Sequence, residues 1–204
     1  MVRWFPLLLL LFVAPWPAAA APVVLVVGDS LGTAFGLEPR EGWVAQLGER
    51  LADRGFPHRV VNASISGDTT QGGVARLPRA LRVHEPDTVV IELGGNDGLR
   101  GYPIERMRAN LESMITMSRD AGANVLLVGV TIPPNYGPDY RRRFTRAYET
   151  LADKHGVPLV VFAIEEVAER DGMLQADGVH PTAAAQGWML DIIWSQLEGL
   201  VTAR

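Results

Sequence analysis

A three-layer α/β fold built on a parallel sheet is predicted by three features of this 204-residue sequence. Short apolar runs without polar alternation, the signature of strands covered on both faces, recur along the chain. Each is followed by a stretch with apolar residues at helical spacing. Polar, Gly-containing segments stand repeatedly where a strand ends. Strand, loop and helix repeated in this way give parallel strands joined by right-handed crossovers.

Composition fits one globular domain, with 48% hydrophobic and 21% charged residues and with 14 Pro and 21 Gly scattered along the chain. Met1 to Ala21 has a basic start at Arg3, an apolar middle from Leu7 to Val13 extended by Pro15 and Trp16, and a small-residue end. That is the pattern of a secretory signal peptide. Cleavage is expected after Ala20, because cutting after Ala21 leaves Pro22 as the first mature residue. Residues 1–20 are assigned to the signal and 21–204 to a single domain, periplasmic or secreted. No stable membrane anchor is expected after cleavage, since the apolar stretch is short and rich in proline. The net charge of −4, or −5 once Arg3 is removed, argues against nucleic acid or an anionic membrane as an electrostatic partner. The absence of cysteine excludes disulfides, cysteine nucleophiles and thiolate metal sites.

Val23 to Val27 forms the first strand and stops on Gly28-Asp29-Ser30-Leu31. The residues after Ser30 are expected to turn helical. That places Ser30 where unpaired backbone N–H groups and the helix dipole favour developing negative charge. A Gly-Asp turn with a Ser N-cap fits the same residues. Trp43, Val44, Leu47, Leu51 and Ala52 then recur at helical spacing, ending at Gly55. Arg59 to Ala63 reads as a short second strand, and a polar connection through Gly67 leads to a helix with Val74, Leu77 and Leu81. Pro86 opens a third strand, Thr88 to Leu93, which runs into Gly94-Gly95-Asn96-Asp97-Gly98. A helix from Pro103 to Gly122 carries Met107, Leu111, Met114 and Ile115 on one face.

The fourth strand, Val125 to Val130, ends in a loop from Thr131 to Pro138, where Ile132, Pro133, Pro134 and Tyr136 suit either an apolar wall or a rigid surface loop. A basic helix with Tyr140, Phe144, Ala147, Tyr148 and Leu151 inward closes at His155-Gly156. Pro158 to Phe162 is the fifth strand. A long loop then reaches Pro181, placed to start a final helix with Trp188, Met189, Ile192, Ile193 and Leu197. For strands of this kind the expected order is flavodoxin-like, 2-1-3-4-5. Strand 1 is then central, and Ser30, the Gly67 loop and the Asn96 loop converge at the carboxyl edge of the sheet.

A serine nucleophile needs a base, and the histidines sort by context. His58 sits at a strand start, His84 follows a helix end, and His155 precedes a C-capping glycine where its charge suits the helix dipole. His180, in Ala176-Asp177-Gly178-Val179-His180-Pro181, lacks such a role. Asp177 can fold back in the same turn to accept the imidazole Nδ1–H, leaving Nε2 to take the Ser30 proton. A helix-capping Asp beside a surface His fits the pair locally as well. As a metal site it lacks a third ligand of matching spacing.

Set in order, Gly28-Asp29-Ser30-Leu31, Ser66-Gly67-Asp68, Gly94-Gly95-Asn96-Asp97 and Asp177-Gly178-Val179-His180-Pro181 make the chain resemble the SGNH (GDSL-type) hydrolases. The blocks span nearly the whole mature chain. The resemblance is strongest to the bacterial thioesterase I/lysophospholipase/arylesterase branch, through Asn62 to Gly67, Ala75 to Pro78 and Ile91 to Gly101. It implies Ser30 as nucleophile, Asp177 and His180 as its partners, and an oxyanion hole from the Ser30 and Gly67 backbone N–H groups and the Asn96 side-chain amide. Asp29 and Asp97 read as structural. Gly32 and Ala34 depart from the Ser/Thr and the frequent Gly of that branch, which bears on the geometry of this loop. Glu92, a carboxylate in a buried strand, has no role at this stage.

The implied substrate is a small-molecule ester, thioester or lysolipid, hydrolysed without cofactor or metal by a monomer. A carbohydrate O-deacetylase of the same superfamily is the alternative among enzymes. A non-catalytic flavodoxin-like module binding phosphate at Ser30 to Thr33 is disfavoured by Asp29, Asp68 and Asp97 nearby. Gly28-Asp29-Ser30-Leu31-Gly32 also satisfies the G-x-S-x-G pattern of α/β-hydrolases. In that fold several strands precede the serine, whereas here only one does.

Overall fold

The computed structural model describes residues 20–202, so the expected signal peptide lies outside the described residues except for Ala20. Strands β1 (Val23–Gly28), β2 (Arg59–Asn62), β3 (Thr88–Glu92), β4 (Asn124–Val130) and β5 (Leu159–Phe162) form one five-stranded sheet. Every pairing is parallel and the order is β2-β1-β3-β4-β5, as the element pattern predicts. The helices are α1 (Trp43–Asp53), α2 (Thr70–His84), α3 (Gly95–Leu99), α4 (Ile104–Asp120), α5 (Pro138–His155), α6 (Ile164–Ala168) and α7 (Ala183–Thr202).

The period of two along each strand divides the core between the two faces. Leu25, Val27, Val89, Ile91 and Leu127 point to one face, where Leu77 of α2, Leu111 and Met114 of α4 and Phe144 and Tyr148 of α5 cover them. Val24, Val26, Val90, Leu126 and Val128 point to the other, against Trp43 and Leu47 of α1 and Met189 and Ile193 of α7. β1 and β3 are buried at every position, which is why their sequences show no alternation. Full burial of each such side chain contributes about 1.5–3 kcal/mol. Among the described residues no helix is long and apolar enough to cross a membrane.

The register sets the site. Gly28 pairs with Glu92, so the chain leaving β1 at Asp29-Ser30 runs beside the chain leaving β3 at Leu93 to Asn96. Four local expectations are corrected. The residues after Ser30 do not form a helix but an irregular turn, closed by Thr33 N–H to Asp29 O (3.1 Å) and Phe35 N–H to Ser30 O (3.1 Å). Ala34 at φ +58° and Gly36 at φ +78° interrupt any helical run, and α1 starts only at Trp43. The Asn96 stretch, expected as a loop, is the short helix α3, and the long segment before Pro181 contains α6. Pro181 itself pairs with Leu174 in an isolated antiparallel bridge, and α7 begins at Ala183.

Candidate active site

At the carboxyl edge of the sheet the turn after β1 carries Ser30 into a pocket also lined by Asn96, Val130, Ile132, Pro133 and His180. Three of the five predicted site residues, Ser30, Asn96 and His180, thus face one cavity. Asp177 backs His180 from behind, and Gly67 does not line the cavity. The Ser30 hydroxyl makes no hydrogen bond among the described residues. The other serines are engaged or enclosed. Ser66 bonds the Thr33 hydroxyl (2.6 Å), Ser113, Ser118 and Ser195 bond carbonyls of their own helices, and the Ser64 hydroxyl is buried beside Gly28 and Gly32.

Gly178, in the left-handed region at φ +67°, lets the loop before α7 double back on itself. Asp177 Oδ1 then accepts the backbone N–H groups of Val179 (2.9 Å) and His180 (3.0 Å), while Oδ2 lies 2.7 Å from His180 Nδ1. The His180 N–H, then its imidazole, then the Val179 N–H hold the Asp177 carboxyl down to about 2. It is therefore an anion wherever the protein is folded near neutrality, and it favours the tautomer with Nδ1 protonated and Nε2 free to accept. The loop is closed behind by Gln175 N–H to His180 O (2.8 Å) and Thr182 N–H to Met173 O (2.8 Å). Phe35, half exposed, stacks on the imidazole with ring centroids 4.5 Å apart.

Gly67 sits at φ +77° in the connection after β2, its carbonyl held by Arg100 Nη2 (2.8 Å). Arg76 of α2 ties this connection to β1, donating to Asp68 Oδ2 (2.7 Å), Ala63 O and Gly28 O (3.0 Å). Among the described residues neither the Ser30 nor the Gly67 backbone N–H donates to a protein acceptor. Asn96 Nδ2 donates to Asp29 Oδ2 (2.9 Å), which fixes the amide plane and uses one of its two N–H groups. Gly94 precedes it at φ +119°, and a β-carbon there would meet the Tyr148 hydroxyl at 2.1 Å. Asp97 is structural, as its sequence context suggests. It accepts the Thr70 N–H (2.9 Å) and hydroxyl (2.7 Å) and so pins α3 to the start of α2.

The apolar wall is real in part. Val130, Ile132 and Pro133 line the cavity with Leu31, Leu99 and Ile164, but Tyr136 turns away to donate to Leu99 O (2.6 Å) and stack on Tyr140. Two features escaped the sequence. One is Phe35, whose pairing with His180 joins parts of the chain far apart in sequence. The other is Glu92, whose Oε2 accepts the Asp29 N–H (3.2 Å) and the Gly32 N–H (3.1 Å) beneath the Ser30 turn. The one hint was the glycine at 28 and again at 32, since β-carbons there would lie 2.4 and 3.3 Å from Glu92 Oε2. Gly32 also leaves room for Ser64, whose hydroxyl lies 2.2 Å from where a β-carbon at 32 would stand. Among the described residues no group of three or more His, Cys, Asp or Glu is placed to hold a metal ion.

Comparison with known proteins places this geometry. Residues 26–188 match the model of the GDSL-like Lipase/Acylhydrolase family. The chain is 52% identical over 183 residues to Esterase TesA of Pseudomonas aeruginosa, covering 90% of this chain and 91% of that protein. It is 40% identical over 199 residues to Thioesterase 1/protease 1/lysophospholipase L1 of Escherichia coli, covering 98% of this chain and 94% of that protein. The crystal structure of the psychrotrophic esterase EstA from Pseudoalteromonas sp., inhibited by monoethylphosphonate, superposes with a TM-score of 0.83 at 36% identity, over 88% of this chain and 98% of that one. From β1 to α7, the chain belongs to the GDSL-like lipase/acylhydrolase family.

Proposed function

We propose that this protein is a serine hydrolase that cleaves carboxylic esters and thioesters through an acyl-enzyme on Ser30. The observation that carries the reading is the pocket itself: an unengaged serine hydroxyl shares an apolar-walled cavity with a histidine backed by a carboxylate. In this reading His180 Nε2 takes the Ser30 proton as Oγ attacks the acyl carbon. Asp177 stabilises the imidazolium that results. The tetrahedral oxygen is received by the unpaired N–H groups of Ser30 and Gly67 and by the second N–H of Asn96. His180 then returns the proton to the departing alcohol or thiol, and water completes the cycle by the same steps.

The acyl chain lies against Ile132, Pro133 and Ile164. Relatives named esterase and thioesterase/lysophospholipase favour esters, thioesters and lysolipids over acetylated carbohydrates as substrates. We further propose that residues 1–20 direct export to the periplasm or beyond, that residues 21–204 act as one catalytic domain, and that the mature enzyme is a monomer. N-terminal sequencing of exported protein is expected to start at Ala21. Hydrolysis of p-nitrophenyl esters of graded chain length, beside an acyl-CoA and a lysophospholipid, tests the catalytic reading. It requires turnover that is lost in Ser30→Ala.

A further inference from the structure

Behind the Ser30 turn lie two carboxyl groups that the reaction does not use. Asp29 and Glu92 are each only 4% exposed and are hydrogen-bonded to each other. Among the described residues no arginine or lysine side chain bonds either one. Arg76, which reaches the end of β1, donates its Nη2 to the carbonyl of Gly28 instead. The pair nevertheless reaches both the Ser30 turn and Asn96. Glu92 Oε2 accepts the N–H groups of Asp29 and Gly32, the residues on either side of Ser30-Leu31. Asp29 Oδ1 accepts the Leu31 N–H (3.2 Å), and its Oδ2 accepts from the Asn96 amide (2.9 Å). Between Asp29 and Phe35, the Ser30 N–H alone is left without a protein acceptor among the described residues.

We propose that Glu92 is a positioning residue for ester hydrolysis, fixing the pitch of the Ser30 turn through two backbone hydrogen bonds and aiming the Asn96 amide through Asp29. The inference rests on the serine-hydrolase reading and adds to it the group that holds nucleophile and oxyanion donor in one frame.

Charge and burial decide how the pair works. Two adjacent carboxylates without a cation cannot both be ionised in an apolar interior. Burial pushes Glu92 well above its ordinary range, and the neighbouring Asp29 charge pushes it further. Asp29 is also raised by burial, but the Leu31 N–H, the Asn96 amide and the Glu92 carboxyl all stabilise its anion, and the His180 side chain faces it too. Glu92 is therefore the neutral acid and donates its O–H to the Asp29 carboxylate. Its other oxygen remains an acceptor for the turn. Gly28 completes the arrangement, because the glutamate oxygen occupies the space that a β-carbon at 28 would fill.

The test compares Glu92→Gln, Glu92→Leu and Glu92→Asp on one p-nitrophenyl ester, with melting temperature and the rate of phosphonate labelling. Gln retains one acceptor and one donor at the same positions. Leu removes both, and Asp withdraws the acid by one methylene. Glu92→Leu should lower kcat by about 10- to 100-fold with KM within about threefold, because transition-state contacts are lost while substrate binding is not. Glu92→Gln should restore kcat to within about threefold of the parent. Should Glu92→Leu fail to fold, Glu92→Asp reads the same split. The inference is overturned if folded Leu or Asp variants keep the parent kcat, or if Gln loses as much as Leu. Failure of the parent protein itself to turn over ester or react with phosphonate would instead overturn the serine-hydrolase reading.

Discussion

Asn96 Nδ2 donates to Asp29 Oδ2 at 2.9 Å, so a side chain at the tip of β3 is held by a carboxylate at the tip of β1. The bond uses one amide hydrogen and leaves the other for the pocket that Ser30 and His180 share. A residue placed only to form a tight turn would bond its own backbone. This one bonds a neighbouring strand end.

Asn96→Ala is therefore expected to lower kcat by about 10²- to 10³-fold with little change in KM. The substitution also leaves the buried Asp29 Oδ2 without this donor, so about 1–3 kcal/mol of stability should be lost as well, too little to account for the fall in kcat of the folded protein. Steady-state kinetics and thermal unfolding of both proteins check this. A loss of activity that merely tracks unfolding would assign Asn96 to structure alone.

Asp97, the next residue, makes the opposite prediction. Its carboxylate is buried and satisfies both the N–H and the hydroxyl of Thr70. Asp97→Ala leaves those donors unpaired in the interior and should cost about 1–3 kcal/mol of stability. Denaturant unfolding measures it. KM and kcat of the fraction that remains folded should stay closer to the parent than those of Asn96→Ala.

Asp177→Asn replaces an anion with an amide beside His180 Nδ1. The wrong tautomer of the imidazole is then favoured, and kcat should fall by about 10²- to 10⁴-fold. The Asp177 carboxyl is lowered from its ordinary value of 3.8 to about 2. A depressed carboxyl contributes stability that is present above the unfolded value and lost as pH falls through the folded one. The parent should thus lose an increment of stability between pH 3.8 and about 2 that Asp177→Asn does not lose. Parallel acid-unfolding curves would contradict this.

Glu92 has the reverse sign. Its folded value is raised well above the ordinary 4.5, so the folded state holds the proton more tightly than the unfolded chain. That contribution is complete below pH 4.5 and declines as pH rises toward the folded value. Against Glu92→Gln, which has no proton to lose, the parent should lose up to about 1.4 kcal/mol per pH unit above that point. Melting temperatures of both proteins from pH 4 to 8 decide the matter. A constant difference across the series would mean that Glu92 is not held neutral.

Much of this was legible because the informative patterns are local. Five apolar runs predict the sheet, and the flavodoxin-like order expected for them, which is the order found, places Ser30 and Asn96 at neighbouring strand ends. Asp177 and His180, three residues apart, meet through an Asx-type turn that the intervening glycine permits. What was illegible depends on contacts distant in sequence. The Ser30 turn reads locally as a helix start, yet Ala34 and Gly36 at positive φ end the run, and the Gly32 N–H is taken by Glu92, 60 residues further along the chain. The stacking of Phe35 on His180 is likewise set by packing, and α6 is too short and too charged to show a periodicity. Glu92 stood out in the sequence as a carboxylate among valines, but its function follows only from the strand register that seats it under Gly28.

The central claim is that Ser30 is the nucleophile, and labelling with a serine-reactive phosphonate tests it most directly. The sequence contains six serines, and only the Ser30 hydroxyl faces a pocket with a carboxylate-backed histidine. Peptide mapping after reaction should find a single phosphonylated residue, Ser30, in the parent protein. Labelling should vanish in Ser30→Ala and slow sharply in His180→Ala. A phosphonate adduct on Ser64 or Ser66, or undiminished labelling of Ser30→Ala, would contradict the account.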